Sequence, residues 1–225
     1  MAKFQTVVGK LRDTAIGIPA GLGLMSPLNV ALSSDSEYVR IDKETPLFYC
    51  LSDWKFLIKV AVKEPTKCRE LVAADNPEYG GLVDSSKHGV GGVVFGINKA
   101  CHPHVFRFKW PKEIQDAFES KRISISDLEL AGLLLLWITM EGCIGPENLK
   151  HAHVCLLGDN DPSICWLERM ASKSSIVAGR ILRILSIRMR HCRASPLTPL
   201  HIPGVHNSIA DIPSRSFGYK KEWHY

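Results

Sequence analysis

The sequence predicts an α/β layer fold with a mixed sheet. Three observations carry that expectation. Beyond about residue 78, apolar runs of strand length alternate with runs of helix length. Two glycine-rich runs, GGLVDSS and GVGGVVFGI, face each other across Lys87-His88-Gly89 and read as paired strands. The segment from Leu128 to Met140, LELAGLLLLWITM, is apolar nearly all round and must be buried on most sides.

Taken in order, residues 1–75 are mixed and poorly periodic. Within them, LSDWKFLIKVAVKEP predicts a helix from Ser52 to Val62, capped by Ser52 and stopped by Pro65. The uncharged stretch from Thr14 to Ser34 is interrupted by Pro19, Pro27 and glycines, so it reads as loop and short helix rather than a membrane span. GGLVDSS and GVGGVVFGI are the first two strands. The glycines at 89, 91 and 92 mark a bulge or a close backbone approach. HVFRFKW alternates apolar and polar residues and is a third strand. Ser126 is the expected cap of a helix over 127–141, ended by Gly142 or Gly145. HVCLLG is a short buried strand. Helices follow over 161–170 and 174–192, then a last strand at PLHIPG. A short helix from Ser208 to Ile212 is expected to end before Pro213.

The 225 residues, 45% hydrophobic and 23% charged, can bury a real core, which excludes a disordered chain. The net charge of +5 weakly favours a polyanionic partner. Seven cysteines, an odd number with no CxxC, read as reduced thiols of an intracellular protein, cytoplasmic or nuclear. Lys3, Lys10 and Arg12 break any secretory signal, so secretion and membrane insertion are not expected.

Four acids stand where chemistry is expected. Glu129 is the only charge from Leu128 to Met140, and a buried carboxylate needs a cation, a metal or hydrogen-bonding partners; facing water in the first turn is the plainer role. Asp84 interrupts a strand that disfavours aspartate, unless it opens the turn at Ser85-Ser86. Asp159 closes VCLLG at the carboxyl end of a buried strand, where α/β proteins place ligands; the plainer role is an N-cap, for which Asp161 competes. Asp211 lies in the short last helix, where a solvated first-turn acid is the plainer role. Together, carboxylates from several elements suit hard divalent ions such as Mg2+. Two ions about 4 Å apart can serve the attacking water and the leaving oxygen of a phosphoryl displacement.

GLVDSSKHGVGG, the LEL helix, GDN and GVHNSIADIPSR, in this order, resemble the ribonuclease H domain of retrotransposon reverse transcriptase polyproteins over residues 78–218. GKLRDTAIGIPAGLGLMSPLN and the DWK helix resemble the connection region upstream, so residues 1–75 would be a connection-like segment and 219–225 a tail. The resemblance implies a three-layer fold with a five-stranded mixed sheet. It implies hydrolysis of the RNA strand of an RNA–DNA hybrid, leaving a 3′-hydroxyl and a 5′-phosphate, with two Mg2+ ions or Mn2+ in their place. Asp84 would bridge both metals, Asp211 would help hold the metal that activates water, and Glu129 and Asp159 would hold the metal on the leaving-group side. No Tyr-x-Asp-Asp is present, so the polymerase active site is missing. A reverse transcriptase polymerase domain is an expected partner, and the chain reads as a piece of a longer polyprotein.

Other residues carry open readings. Arg180, Arg183, Arg188, Arg190, His191 and Arg193 decorate RILRILSIRMRHCR, a face that could contact phosphates or simply be solvated. Ser85, Ser86 and Asn160 lie beside the acids, as contacts to a sugar 2′-hydroxyl or as turn residues. His206 or His201 could be a loop histidine of the site, or a strand-end or loop residue with no catalytic role. The CHPH and HAH clusters lack the paired spacing of structural zinc. Two rivals remain: a non-catalytic module of the same fold that binds nucleic acid or packs against a polymerase, and a transposase or integrase domain, against which the late AD-x-x-SR segment speaks.

Overall fold

The computed structural model describes residues 2–33, 38–72, 76–172 and 174–218. The expected tail at 219–225 lies outside them. Five strands form one sheet: β1 (Tyr79–Ser85), β2 (Gly89–Gly96), β3 (His104–Lys109), β4 (Val154–Gly158) and β5 (Thr198–His201). Their order is β3-β2-β1-β4-β5. The first three strands pair antiparallel, whereas β4 pairs parallel to β1 and to β5. Short connections close the antiparallel pairs. The parallel ones need crossovers, supplied by α5 (Ile125–Cys143) and by α7 (Asp161–Arg169) with α8 (Ile176–Cys192). The predicted mixed sheet is present, with all five strands where the sequence placed them.

Residues paired across β1 and β2 share a face. Gly81 and Val83 point with Val94 and Val90 toward α5, while Asp84 points with Gly91 to the opposite side. A Cβ on Gly81 would stand 2.7 Å from Leu136 of α5. A Cβ on Gly91 would stand 2.5 Å from the Ser214 nitrogen of α9 (Ser208–Arg215). These glycines let a helix approach on each face, the close approach expected at position 91. The result is three layers, with α5 and α8 on one side and α9 on the other.

The main core lies between the sheet and α5. Val83, Val90, Leu130, Leu136 and Trp137 are all fully buried there. Cutting any one large side chain among them to alanine costs about 2–5 kcal/mol. A second core joins α1 (Ala2–Ile16), α2 (Ser26–Leu32) and α3 (Pro46–Lys63) through Val8, Leu28, Cys50 and Trp54, and rests on Ile187 of α8. No helix among the described residues is long and apolar enough to cross a membrane.

Several boundaries differ from expectation. α3 starts at Pro46 because Thr45 caps it, its Oγ1 accepting from Phe48 N at 3.2 Å. Ser52 lies inside that helix and donates to Phe48 O. α5 starts two residues early because Ser124 and Asp127 form a reciprocal capping box. α9 runs through Pro213 to Arg215, since packing on β1 and β2 holds a turn that local propensity disfavours. Helices α1, α4 (Lys112–Glu119) and α6 (Pro146–Leu149) were not expected as such.

Candidate active site

The site begins with register. Leu82 of β1 pairs with Leu157 of β4. Two residues on along each parallel strand, Asp84 and Asp159 leave the sheet side by side on the same face. Glu129 comes from the first turns of α5. Its Oε1 accepts from the Ser85 backbone N–H at 3.2 Å, and its side chain is buried beside Asp84. One carboxylate oxygen from each of Asp84, Glu129 and Asp159 lies within 4.8 Å of the others. Among the described residues this is the one group of acids, histidines and cysteines gathered closely enough to hold a metal ion.

Electrostatics follow from that crowding. Burial, then the charges of Asp84 and Asp159, push the Glu129 carboxyl up to about 9, and the Ser85 N–H offsets only part of this. Asp84 is raised too, chiefly by burial; the Ser214 hydroxyl opposes the rise, and Asp159 and Asp211 add to it. Buried carboxylates held together against their charge favour a cation among them. The donors are all carboxylate oxygens, which suits a hard divalent ion.

Asp211 stands outside the group of three. It is near enough to raise Asp84, but its Oδ1 is paired with Nε of Arg215, one turn on in α9. A cleft of about 590 Å³ opens over the acids, lined by Asp84, Glu129, Asp159, Asn160, Arg215 and the 85–88 turn. A larger hollow of about 1090 Å³ shares Lys87 with it and carries Lys121, Arg122 and Trp166.

The secondary candidates fare differently. Ser85 Oγ donates to Leu128 O at 3.0 Å, binding β1 to α5. Ser86 Oγ donates to Ser214 O at 2.7 Å and accepts from the His88 and Gly89 N–H groups. Both hydroxyls are thus engaged in holding the scaffold, Ser86 in the turn and Ser85 at the buried end of β1. Asn160 caps α7 by accepting from Ser163 N at 3.0 Å, while lining the cleft.

The basic face of α8 is largely neutralised. Arg183 pairs with Asp53 at 2.5 Å, Arg188 with Glu141, and Arg190 and Arg193 with the fully buried Glu70. Arg183 is therefore a tie to α3 and not a free phosphate contact; Arg180 is exposed. His206 is exposed in a 3-10 turn, Gly204–His206. His201 Nε2 lies 3.1 Å from Asp159 O and 3.4 Å from Asp161 Oδ1. His153 meets Thr198 at 2.6 Å across β4 and β5, a structural contact of the HAH cluster.

Sequence reasoning missed Lys87, His88 and Arg215 in the cleft wall, and Asn207 and Ser214 beneath it. Arg215, Ser214 and Asn207 stand inside GVHNSIADIPSR, but nothing local distinguishes a buried serine from a solvated one.

No family profile matches the sequence, and no curated protein is similar to it. The chain is similar in shape to solved structures. One is ribonuclease H1 of the halophilic archaeon Halobacterium salinarum, at 12% identity and TM-score 0.42, covering 61% of this chain and 93% of that one. Another is LC11-RNase H1 in complex with an RNA/DNA hybrid, at 12% identity and TM-score 0.48, covering 60% and 92%. The prototype foamy virus protease-reverse transcriptase gives 13% identity and TM-score 0.34, covering 90% of this chain and 24% of that protein. Likenesses at these scores carry no functional weight.

Proposed function

We propose that the chain is a metal-dependent endonuclease of the ribonuclease H type that hydrolyses the RNA strand of RNA–DNA hybrids, as part of a retrotransposon reverse transcriptase polyprotein. The observation that carries the reading is the convergence of Asp84, Glu129 and Asp159 within 4.8 Å from three separate elements. They stand in the order of the first three of the four motifs that resemble that family.

Glu129, Asp159 and Asp84 would hold one divalent ion, and Asp84 with Asp211 a second, Mg2+ by preference and Mn2+ in its place. When bound, such ions lower the pKa of water and stabilise the leaving oxygen. The chain's own side chains do the rest. Asp84 would serve both sets, Asp159 and Glu129 would keep their oxygens on one side, and Lys87 in the cleft lining, with Arg215 once Asp211 turns from it to an ion, would offer cations to backbone phosphates. Lys121 and Arg122 continue that charge along the adjoining hollow. Helices α1–α3, carried on α8, correspond to the connection-like segment that would meet a polymerase domain.

The test is Mg2+-dependent cleavage of an RNA–DNA hybrid by the protein and its Asp159→Asn variant. Loss of cleavage supports the reading; unchanged cleavage overturns the role of Asp159. A second reading, a non-catalytic hybrid-binding module, draws on the pairing of Asp211 with Arg215. Hybrid binding without turnover at millimolar Mg2+ favours it.

A further inference from the structure

We infer that Ser214 is a positioning residue of this site, its hydroxyl fixing the rotation of the Asp84 carboxylate. The inference rests on the nuclease reading and deepens it.

Ser214 lies on α9, 130 residues from Asp84, and is fully buried. Its Oγ donates to Asp84 Oδ2. The same Oγ lies 2.9 Å from the backbone carbonyl of Asp211, one turn earlier in α9. A hydroxyl has one proton, and an ionised carboxylate is the stronger acceptor. With Asp84 ionised, the proton belongs to the carboxylate and not to the Asp211 carbonyl.

The serine is itself held. Ser86 Oγ donates to Ser214 O at 2.7 Å. Asn207, buried at the start of α9, donates to Val83 O at 3.0 Å. The helix is thus tied to β1 on both sides of Asp84, and Gly91 gives it the room to approach. These ties hold the backbone at residue 214, and the bond to Asp84 is the one that needs the serine hydroxyl. Carboxylates that bind metal are commonly held by such partners, whose loss costs about 10–100-fold in metal affinity or activity.

The experiment measures Mn2+ binding by calorimetry and the Mg2+ midpoint of hybrid cleavage for the full chain, Ser214→Ala and Ser214→Cys. Expected is Mn2+ binding weakened about 10-fold or more in Ser214→Ala. The Mg2+ midpoint rises in parallel, and Ser214→Cys, which keeps a weak donor, falls between alanine and the parent. Equal Mn2+ affinity and Mg2+ midpoint in Ser214→Ala, whatever its melting temperature, overturn the inference while leaving the nuclease reading intact. If Ser214→Ala does not fold, Ser214→Cys decides by the same two measurements: weakened binding supports, unchanged binding overturns. If the unmodified chain binds no Mn2+ and cuts no hybrid, the nuclease reading falls and takes this inference with it.

Discussion

The backbone N–H of Ser85 donates to Glu129 Oε1 at 3.2 Å, across 44 residues of sequence. This bond joins the end of β1 to the start of α5, and Ser85 Oγ repeats the link through Leu128 O. Glu129 is therefore neither solvated nor free to turn away. It is held beside Asp84, where burial and its neighbours' charges work against its ionisation.

That holding makes the metal-free protein sensitive to pH. Glu129 is pushed up to about 9 in the fold from an ordinary 4.5. Between those values the folded state binds the proton and the unfolded state does not, so stability falls as pH rises. Without metal, melting temperature should decline from pH 5 toward pH 9. Glu129→Gln should flatten that decline, as read by thermal melts in a chelating buffer; parallel curves for the two proteins would show that Glu129 is not the cause.

Metal binding should release protons over the same range. An ion that needs Glu129 ionised competes with its proton. Mn2+ affinity should climb with pH until about 9 and then level. Calorimetry in buffers of different ionisation enthalpy measures the protons released near pH 7; none released would contradict the raised Glu129.

Gly204 is expected to matter to the site more than to the fold. A Cβ there would stand 2.9 Å from Asp159 Oδ2. The atom met is the end of a half-buried side chain that can turn outward, so Gly204→Ala should leave the melting temperature nearly unchanged. Hybrid cleavage and Mn2+ binding should both fall, because Asp159 is pushed from its neighbours.

Glu70 should be among the costliest single losses outside the main core. It is fully buried and accepts from Arg190 at 3.0 Å and Arg193 at 2.6 Å. Glu70→Ala leaves Arg190 and Arg193 to their longer contacts with Glu64 and takes the acid from the buried Arg190, which should cost about 3–5 kcal/mol in denaturant unfolding.

The two basic surfaces should separate by salt dependence. Arg183 is spent on Asp53, so Arg183→Ala should leave the dependence of hybrid affinity on salt unchanged. Lys87 opens into the cleft, so Lys87→Ala should lower the log-log slope by about 1.

Much of the fold was legible because its signals are local. Runs of strand length, glycine-rich or apolar, announced the five strands, and LELAGLLLLWITM announced a buried helix. Boundaries were less legible. Ser124 and Ser126 are equally good caps by type, and only the reciprocal bond with Asp127 selects Ser124. The arginines of α8 showed a stripe but not its partners, which lie far off at Asp53, Glu70 and Glu141.

The sequence by itself determined the α/β class, the order of the strands along the chain and four acids worth testing, since periodicity and residue type act over a few neighbours. Only the tertiary structure decided that Asp84, Glu129 and Asp159 meet while Asp211 turns to Arg215, and that Ser214 reaches Asp84 across 130 residues. Those outcomes depend on strand register and on how closely α9 can approach Gly91, distances that no local pattern encodes.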